Sequence, residues 1–313
     1  MKRLLITQEF PADTVEAARA HFEVTNRAGK PLTVEEARAA LAEHDAILCT
    51  LGDGFTAEAF DGEIRAGAIA NFGVGYNHID VEAARAAGVV VSNTPGAVTD
   101  ATADVGMTLM LMAARRAGEA ERIVRAGDWT GWGATQFLGT HLTGKTLGVV
   151  GMGRIGQAVA KRAHHGFDMP VIFHNRSDKD HDHAEQVADL ATLMGRADVV
   201  VVCVPGGAET RHLIDAEALS HLRDGAIFVN ISRGDTVDEA ALIAELQSGR
   251  ISAGLDVYEN EPQVPEALRA LENVVLLPHI GTAALEVREA MGRMAVDNLA
   301  AWSRGETPPN AVN

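Results

Sequence analysis

The sequence predicts a soluble α/β protein of two domains, each built on a parallel β-sheet. The chain has 313 residues, and about 150 residues per domain is a reasonable expectation. Hydrophobic residues make up 47% of it, which is enough for two substantial cores. Short β-rich runs alternate with alanine-rich helical patterns almost from end to end. That alternation is typical of parallel sheets with helices on both faces.

Each predicted element follows from this alternation. Strands are predicted at eight apolar runs: KRLLIT, DAILCT, GVVVSN, TLGVVG, PVIFHN, DVVVVCV, AIFVNIS and NVVLLPH. Helices are predicted between them, as at DTVEAARAHF, VEAARAAG and DEAALIAELQSG. One long helix is expected from about Asp100 to Arg125, where it would divide two α/β units. A last amphipathic helix, in ALEVREAMGRMAVDNLAAWSRG, would fold back over the first unit.

Charge and cysteine usage exclude several classes of protein. The formal net charge is −16, which argues against nucleic-acid or anionic-membrane binding because such surfaces need clusters of Lys and Arg. Cys49 and Cys203 have neither metal nor disulfide spacing and fit a reducing cytosol. No apolar run is long enough to span a bilayer, and the N-terminus lacks a signal-peptide pattern. We therefore expect a cytoplasmic protein.

A glycine-rich turn follows the run TLGVVG and precedes a helical pattern. Gly151, Gly153 and Gly156 form the spacing GxGxxG. One glycine permits the tight turn, one permits close approach to a pyrophosphate, and one permits helix–strand packing. The helix N-terminus would supply free N–H groups to the phosphates. The pattern predicts a dinucleotide site; the alternatives are a turn without a ligand, or a methyltransferase, which normally keeps an acid after the second strand.

The second strand of this unit ends without that acid. Asn175, Arg176 and Ser177 stand where a carboxylate would hold a ribose 2′-hydroxyl. Arg176 can pair with a 2′-phosphate and Ser177 can donate to it, while neutral Asn175 does not repel it. Alternatively, Arg176 is a plain surface residue, and Asp178 or Asp180 supplies the acid. The following run DKDHDHAE is expected to be a solvated face and no metal site.

Three further motifs are expected at strand ends downstream. They are SRGD with Arg233, DVYENEP with Asp256, Glu259 and Glu261, and LPHIG with His279. Reduction of a carbonyl by hydride requires an arginine that binds and polarises the substrate, a histidine that supplies a proton, and a carboxylate that orients the histidine and favours its charged form.

These motifs resemble those of the D-isomer-specific 2-hydroxyacid dehydrogenases over nearly the whole chain, most closely the NADPH-dependent glyoxylate/hydroxypyruvate reductases. The resemblance rests on the segments NFGVGYNHIDVEAARAAGVVVSNTPGAVTDATADVGMTLMLMAARR, GKTLGVVGMGRIGQAVAKR, VNISRGDTVDEAAL, GLDVYENEP and LPHIGTA. It implies a flavodoxin-like substrate domain of residues 1–98 plus 285–313. A doubly wound, Rossmann-like coenzyme domain would comprise residues 99–284.

The resemblance also implies roles for particular residues. Catalysis would use Arg233, Glu261 and His279, which leaves Glu259 as an ordinary loop carboxylate. Further cofactor contacts would come from Thr102, Arg154, Ile155, Pro205, Thr210 and, at the nicotinamide carboxamide, Asp256. The substrate would be bound by Arg233 and His279 and by backbone N–H groups of two loops, around Leu51, Gly52, Val74 and Gly75. The segment GGAET departs from the family's usual loop at the adenosine end.

Together with the resemblance, the sequence predicts reduction of small 2-oxo acids such as glyoxylate or hydroxypyruvate, with NADPH preferred over NADH. The resemblance alone implies a homodimer formed through the coenzyme domain. One alternative is a reductase of bulkier 2-oxo acids such as phenylpyruvate, and another is a dinucleotide-sensing, corepressor-like protein. The formate dehydrogenase branch is disfavoured because it pairs its histidine with glutamine where this chain has Glu261.

Overall fold

The computed structural model describes all of residues 1–313 and divides into two compact units. The first unit comprises Met1–Val98 and Thr282–Asn313, and the second comprises Thr99–Gly281. The chain re-enters the first unit at Thr282, three residues before the position 285 that the sequence suggested.

The first unit contains a five-stranded parallel sheet. Its strands are β1 (Arg3–Ile6), β2 (Glu23–Asn26), β3 (Ala46–Cys49), β4 (Ala68–Asn71) and β5 (Val90–Ser92). Its helices are α1 (Ala12–Arg19), α2 (Val34–Glu43), α3 (Val81–Ala86) and α11 (Leu285–Ser303), with a 3-10 turn at Ala57–Phe60. The strand order β2-β1-β3-β4-β5 is the flavodoxin-like order.

The second unit contains a seven-stranded parallel sheet. Its strands are β6 (Leu147–Val150), β7 (Val171–His174), β8 (Ala184–Gln186), β9 (Val199–Val202), β10 (Ile227–Asn230), β11 (Ser252–Leu255) and β12 (Val274–Leu276). Its helices are α4 (Thr99–Ala114), α5 (Ala117–Ala126), α6 (Arg154–Phe167), α7 (Leu190–Arg196), α8 (Ala216–Ser220), α9 (Glu239–Gln247) and α10 (Glu266–Arg269), with a 3-10 turn at Gly234–Thr236.

The strand order of the second unit is β12-β11-β10-β9-β6-β7-β8. The order reverses between β6 and β9, and in such sheets a ligand binds outside the carboxyl ends of the strands at that switch point. Alternate valines of β9 enter two different cores: Val199 and Val201 pack in one, and Val200 and Val202 in the other. Both faces of the sheet are therefore covered, and the predicted fold class is confirmed.

The long helix predicted from Asp100 to Arg125 is wrong, because the chain forms two helices there. Arg116, between α4 and α5, has a left-handed backbone with φ of 51°. Its guanidinium binds both carboxylate oxygens of Glu119, at 2.7 and 2.8 Å. Eight residues of α4 are buried, whereas α5 buries none. The break coincides with the change from a core helix to a surface helix.

Four strands escaped the sequence analysis: β2, β4, β8 and β11. The last of these begins at Ser252, and β8 begins at the end of the run DKDHDHAE, which was expected to be only a solvated face. None of the helices has both the length and the apolar character needed to cross a membrane.

Candidate active site

The glycine turn after β6 has the shape that a dinucleotide requires. Gly151 has φ of 95°, and a Cβ there would lie 2.8 Å from Cγ1 of Val204. A Cβ on Gly156 would lie 2.2 Å from the carbonyl oxygen of Gly151, whereas one on Gly153 would meet nothing within 4 Å. Two glycines are thus required by protein packing, and the third opens onto free space. The three positions fit a bound pyrophosphate.

Helix α6 begins in this turn without a side-chain cap. Gly153 is its N-cap, and Arg154, Ile155 and Gly156 form its first turn. By contrast, three other helices of this unit, α7, α8 and α9, are capped by aspartates, at Asp189, Asp215 and Asp238. The open N–H groups and the positive end of the α6 dipole remain available to an anion.

The end of β7 is bonded to the same turn. Asn175 accepts a hydrogen bond from the Met152 N–H through Oδ1 at 3.2 Å. Its Nδ2 donates to the carbonyl and the hydroxyl of Ser177 at 2.9 and 3.1 Å. The Lys179 ammonium donates to the Met152 carbonyl at 2.9 Å. The segment therefore places a cation, Lys179, against the glycine turn in addition to the predicted Asn175–Ser177 set.

Arg176 forms an exposed ion pair with Glu209. Their side chains are 86% and 80% exposed, so the pair is readily exchanged for another partner. Glu209 belongs to the GGAET segment, in which the Thr210 hydroxyl donates to the Pro205 carbonyl at 2.7 Å. Pro205 and Thr210 thus close one loop, and its Glu209 reaches the residue predicted to bind a 2′-phosphate.

Arg233 follows β10 on a backbone held by several hydrogen bonds. Its carbonyl accepts from Asn230 Nδ2 at 2.9 Å and from the Thr236 hydroxyl at 2.7 Å. Burial lowers the pKa of the Arg233 guanidinium, while the charges of Glu261 and Asp235 oppose that shift. An arginine remains charged at neutral pH despite such a shift.

Glu261 and His279 form a close pair in the second unit. Nδ1 of His279 lies 2.8 Å from Oε2 of Glu261, and Oε1 accepts from the Tyr258 N–H at 3.0 Å. The two side chains are 27% and 29% exposed. Because a carboxylate can only accept, Nδ1 carries a proton and Nε2 is the free nitrogen. His279 has a left-handed backbone, with φ of 52°.

Electrostatics keep Glu261 ionised. Burial alone would raise the pKa of Glu261, but the hydrogen bond and charge of His279, the Tyr258 N–H and the charge of Arg233 outweigh it, so the pKa lies below its ordinary value. At neutral pH the pair therefore keeps its carboxylate charged.

Asp256 anchors the chain immediately after His279. Its two carboxylate oxygens accept from the N–H groups of Ile280 at 2.7 Å and Gly281 at 2.8 Å. Burial raises its pKa. The Thr102 hydroxyl, on α4, donates to the Gly281 carbonyl at 3.3 Å. Both residues thus fix the backbone that carries His279; contact of either with a cofactor stays a prediction.

The first unit contains the two loops that were predicted to bind a carboxylate. They follow the neighbouring strands β3 and β4, so they lie side by side at the carboxyl edge of the sheet. Asn71 Nδ2 donates to the Gly75 carbonyl at 3.0 Å, and Asn93 Nδ2 donates to the Val74 carbonyl at 2.8 Å. Gly52 has φ of 93°. None of the N–H groups of Leu51, Gly52, Val74 and Gly75 donates to another protein group, which leaves them open to an anion.

Sequence reasoning missed several contacts. Glu259, expected to be an ordinary loop carboxylate, is bound by His212 and Arg211. Lys179 and Glu209 escaped notice, although a lysine three residues after Arg176 was a visible signal. His181 and His183 belong to no group of ligands arranged to hold a metal.

Several known proteins are similar to this chain in sequence and in fold. Residues 107–281 match the family model described as the D-isomer specific 2-hydroxyacid dehydrogenase, NAD binding domain. The chain is 42% identical to the glyoxylate reductase of Thermococcus kodakarensis, over 99% of this chain and 96% of that protein. It is 40% identical to the glyoxylate/hydroxypyruvate reductase B of Escherichia coli, over 99% and 97%.

A solved structure agrees with these matches. The NADPH-dependent glyoxylate/hydroxypyruvate reductase of Sinorhizobium meliloti, in complex with NADP and malonate, superimposes with a TM-score of 0.89 at 36% identity, covering 99% of this chain and 96% of that one. The predicted resemblance is confirmed, and the chain belongs to the D-isomer-specific 2-hydroxyacid dehydrogenase family.

Proposed function

We propose that this protein is an NADPH-preferring reductase that converts small 2-oxo acids, such as glyoxylate and hydroxypyruvate, into 2-hydroxy acids. The observation that carries the proposal is the ion pair of Glu261 with His279, close enough to Arg233 for their charges to interact, in the unit that also holds the glycine turn. The names of the similar reductases from T. kodakarensis, E. coli and S. meliloti support the same substrate class.

The chain's own groups suit the chemistry of carbonyl reduction. When bound, the nicotinamide supplies a hydride to C2 of the oxo acid. Arg233 would bind the substrate carboxylate and polarise the carbonyl. His279 would donate the proton from Nε2, since Nδ1 is engaged by Glu261. Glu261 holds the ring in one orientation and stabilises its positive charge while the proton is present.

Three separate sets of groups would bind the pyrophosphate and the 2′-phosphate of the cofactor and the carboxylate of the substrate. The open N–H groups at the start of α6 would take the pyrophosphate, and Arg176, Ser177 and Lys179 would take a 2′-phosphate. The free N–H groups around Gly52 and Gly75 would take the carboxylate of the substrate. NADH lacks the 2′-phosphate and would lose only the second set of contacts, so we expect it to be used less efficiently rather than rejected.

We also propose that the protein is a cytoplasmic homodimer that associates through the second unit. The predicted contact was the whole segment from Asp100 to Arg125. Because α4 is buried within the protomer and α5 is not, the proposal narrows to α5 and the loop after it, which exposes Trp129 and Trp132.

Turnover of a defined panel tests the function. The protein is mixed with NADPH and glyoxylate, hydroxypyruvate or phenylpyruvate, and loss of nicotinamide absorbance is followed. We expect the two small acids to be reduced more efficiently than phenylpyruvate. Preference for phenylpyruvate would favour the bulkier-substrate alternative. Absence of turnover despite bound NADPH would favour the dinucleotide sensor.

The role of Arg233 is tested by Arg233→Ala. Loss of the group that binds and polarises the substrate should lower kcat/KM by about 100-fold or more, with NADPH still bound. Arg223→Ala is the matched control, because Arg223 lies in the same unit and pairs with Asp198 at the surface. Near-normal turnover in Arg233→Ala would contradict the assignment.

A further inference from the structure

A second glutamate–histidine pair lies beside the first. Oε1 of Glu259 is 2.8 Å from Nε2 of His212 and 3.3 Å from Nη2 of Arg211. The Glu259 side chain is only 20% exposed. Two glutamates of one short segment, Glu259 and Glu261, therefore each bind a histidine from a different part of the chain.

Both histidines have the same unusual backbone. The φ angle is 50° at His212 and 52° at His279. Left-handed residues other than glycine are uncommon, and they persist where the surrounding structure fixes them. At His212 the fixing contact is its N–H, which donates to the Asp235 carbonyl at 2.8 Å. The loop of His212 is thus held against the segment that follows Arg233.

A glycine joins that segment to the Glu259 loop. A Cβ on Gly234 would lie 1.8 Å from the carbonyl carbon of Tyr258 and 2.3 Å from the Glu259 nitrogen. The backbone next to Arg233 therefore packs directly on the peptide that precedes Glu259. In addition, the Glu259 N–H donates to Oε1 of Glu239 at 3.2 Å. Three loops meet here, and they carry His212, Arg233 and Glu261.

We propose that His212 and Glu259 are positioning residues that hold the Glu261 carboxylate against His279. Glu261 is two residues from Glu259 and accepts a hydrogen bond from the Tyr258 N–H. Movement of the backbone at Glu259 would therefore displace the Glu261 carboxylate. The catalytic meaning of this pair rests on the proposed function.

Charge balance supports the same role. Three carboxylates meet near the Tyr258–Glu261 segment, those of Glu239, Glu259 and Glu261. Burial raises the pKa of Glu239, and the charge of Glu259 raises it further. Arg211 supplies the opposite charge to Glu259, and His212 binds the same carboxylate oxygen. The charged groups that act on His279 are Glu261 and Asp256, and Arg233 acts on Glu261.

The test is the NMR titration of the His279 ring in the full-length protein, with its signal identified by its loss in His279→Gln. We expect both Glu259→Gln and His212→Gln to lower the His279 titration midpoint by about 0.5 pH unit, because a displaced Glu261 carboxylate stabilises the charged ring less. Charge alone predicts opposite results: losing Glu259 would lower the midpoint, and losing His212 would leave it unchanged or raise it.

Glu266→Gln, at an exposed position of α10, is the control and should leave the midpoint unchanged. Glu259→Asp keeps the charge but shortens the reach, so it should lower the midpoint as well, and it replaces Glu259→Gln if that variant does not fold. An unchanged or raised midpoint in folded His212→Gln would overturn the proposal. The titration needs no turnover, so this result is independent of whether the protein reduces any 2-oxo acid.

Kinetics supply the second measurement. Glu259→Gln should lower kcat about tenfold, with NADPH affinity within about twofold of the wild type. If Glu259 acts through Glu261, the substitution should cause no further loss in a Glu261→Gln background. An equal loss in both backgrounds would overturn the proposal, whereas a wild type without turnover would contradict the proposed function alone.

Discussion

At the scale of single residues, Glu209 bears directly on the choice of cofactor. It is the acid paired with Arg176, the residue proposed to bind the 2′-phosphate, and it must release Arg176 when that phosphate arrives. Glu209→Gln should therefore lower the Kd for NADPH by about two- to fivefold, a small effect because exposed ion pairs are weak. The Kd for NADH should not change. Fluorescence titration with both cofactors measures the two constants.

Two other substitutions test the same 2′-phosphate site. Arg176→Ala should weaken NADPH binding by about tenfold and leave NADH binding little changed, since only NADPH carries the 2′-phosphate. Asn175→Asp restores a repelling carboxylate and should move the preference toward NADH. If Glu209→Gln leaves the ratio of the NADPH Kd to the NADH Kd unchanged, Glu209 does not compete with the 2′-phosphate for Arg176. A wild type that prefers NADH outright would contradict the role of Asn175–Ser177 and leave the reductase proposal intact.

The proposed catalytic residues illustrate which parts of a site can be predicted from the sequence. Arg233 and His279 were predicted because each follows an apolar run, and the carboxyl ends of parallel strands share one edge. Glu261 was chosen over Asp256 and Glu259 by the resemblance to the family. Their role stays a prediction, but their place in one unit did not require the structure. The contact of Glu259 with His212 could not be predicted, because the two residues are 47 positions apart and no local pattern links them.

At the scale of elements, the connection from β6 to α6 contains glycines of two kinds: one that leaves space for a ligand and others that are required by protein packing. Gly153→Ala should leave the fold intact, because the new methyl group meets no protein atom within 4 Å. It should nevertheless weaken NADPH binding by about tenfold or more, since the proposed pyrophosphate needs that space. Binding is measured by fluorescence titration, and folding by circular dichroism and thermal unfolding.

Gly156→Ala is the matched comparison. Its Cβ would lie 2.2 Å from the Gly151 carbonyl oxygen, so this variant should lose thermal stability as well as binding. If Gly153→Ala binds NADPH as tightly as the wild type, the free space beside Gly153 is not where the pyrophosphate lies.

Element prediction succeeded where apolar β-branched residues were dense and failed where they were not. The strand β4, AIAN, is half alanine, and β11, SAGL, contains a glycine; both lie inside their sheets, where neighbouring strands override weak local propensity. The sheet edges β2 and β8 are short and polar, as edge strands often are. The end of α4 was missed because Arg116 carries no helix-breaking signal of its own.

At the scale of the whole molecule, the parallel arrangement could be predicted because helices and strands alternate, and that pattern permits few other folds. Oligomeric state is harder to predict, because an apolar stretch can face either a core or a partner. The segment from Asp100 to Arg125 contains one helix with a buried face, α4, and one with no buried residue, α5. Only the burial of α4 and the exposure of α5 distinguish them.

The surface around α5 predicts association. Val124, on α5, is 61% exposed, and Trp132 and Leu138, in the loop after it, are 85% and 65% exposed. Exposed large apolar side chains commonly mark an interface. With a chain mass of 33.1 kDa, we expect a species of about 66 kDa, twice that mass, by sedimentation equilibrium. Val124→Glu places a charge in the proposed interface and should raise the dimer dissociation constant by about 30-fold or more.

Leu285→Glu is the control that shows whether a charge at any exposed apolar position prevents association. Leu285 is 65% exposed, nearly the same as Val124, but it lies on α11 in the first unit. If association depends on the α5 surface, only the Val124 variant dissociates, because only there does the new carboxylate lose its water without gaining a partner. Dissociation of both variants would indicate a different interface, and a wild type of about 33 kDa at all concentrations would rule out the homodimer.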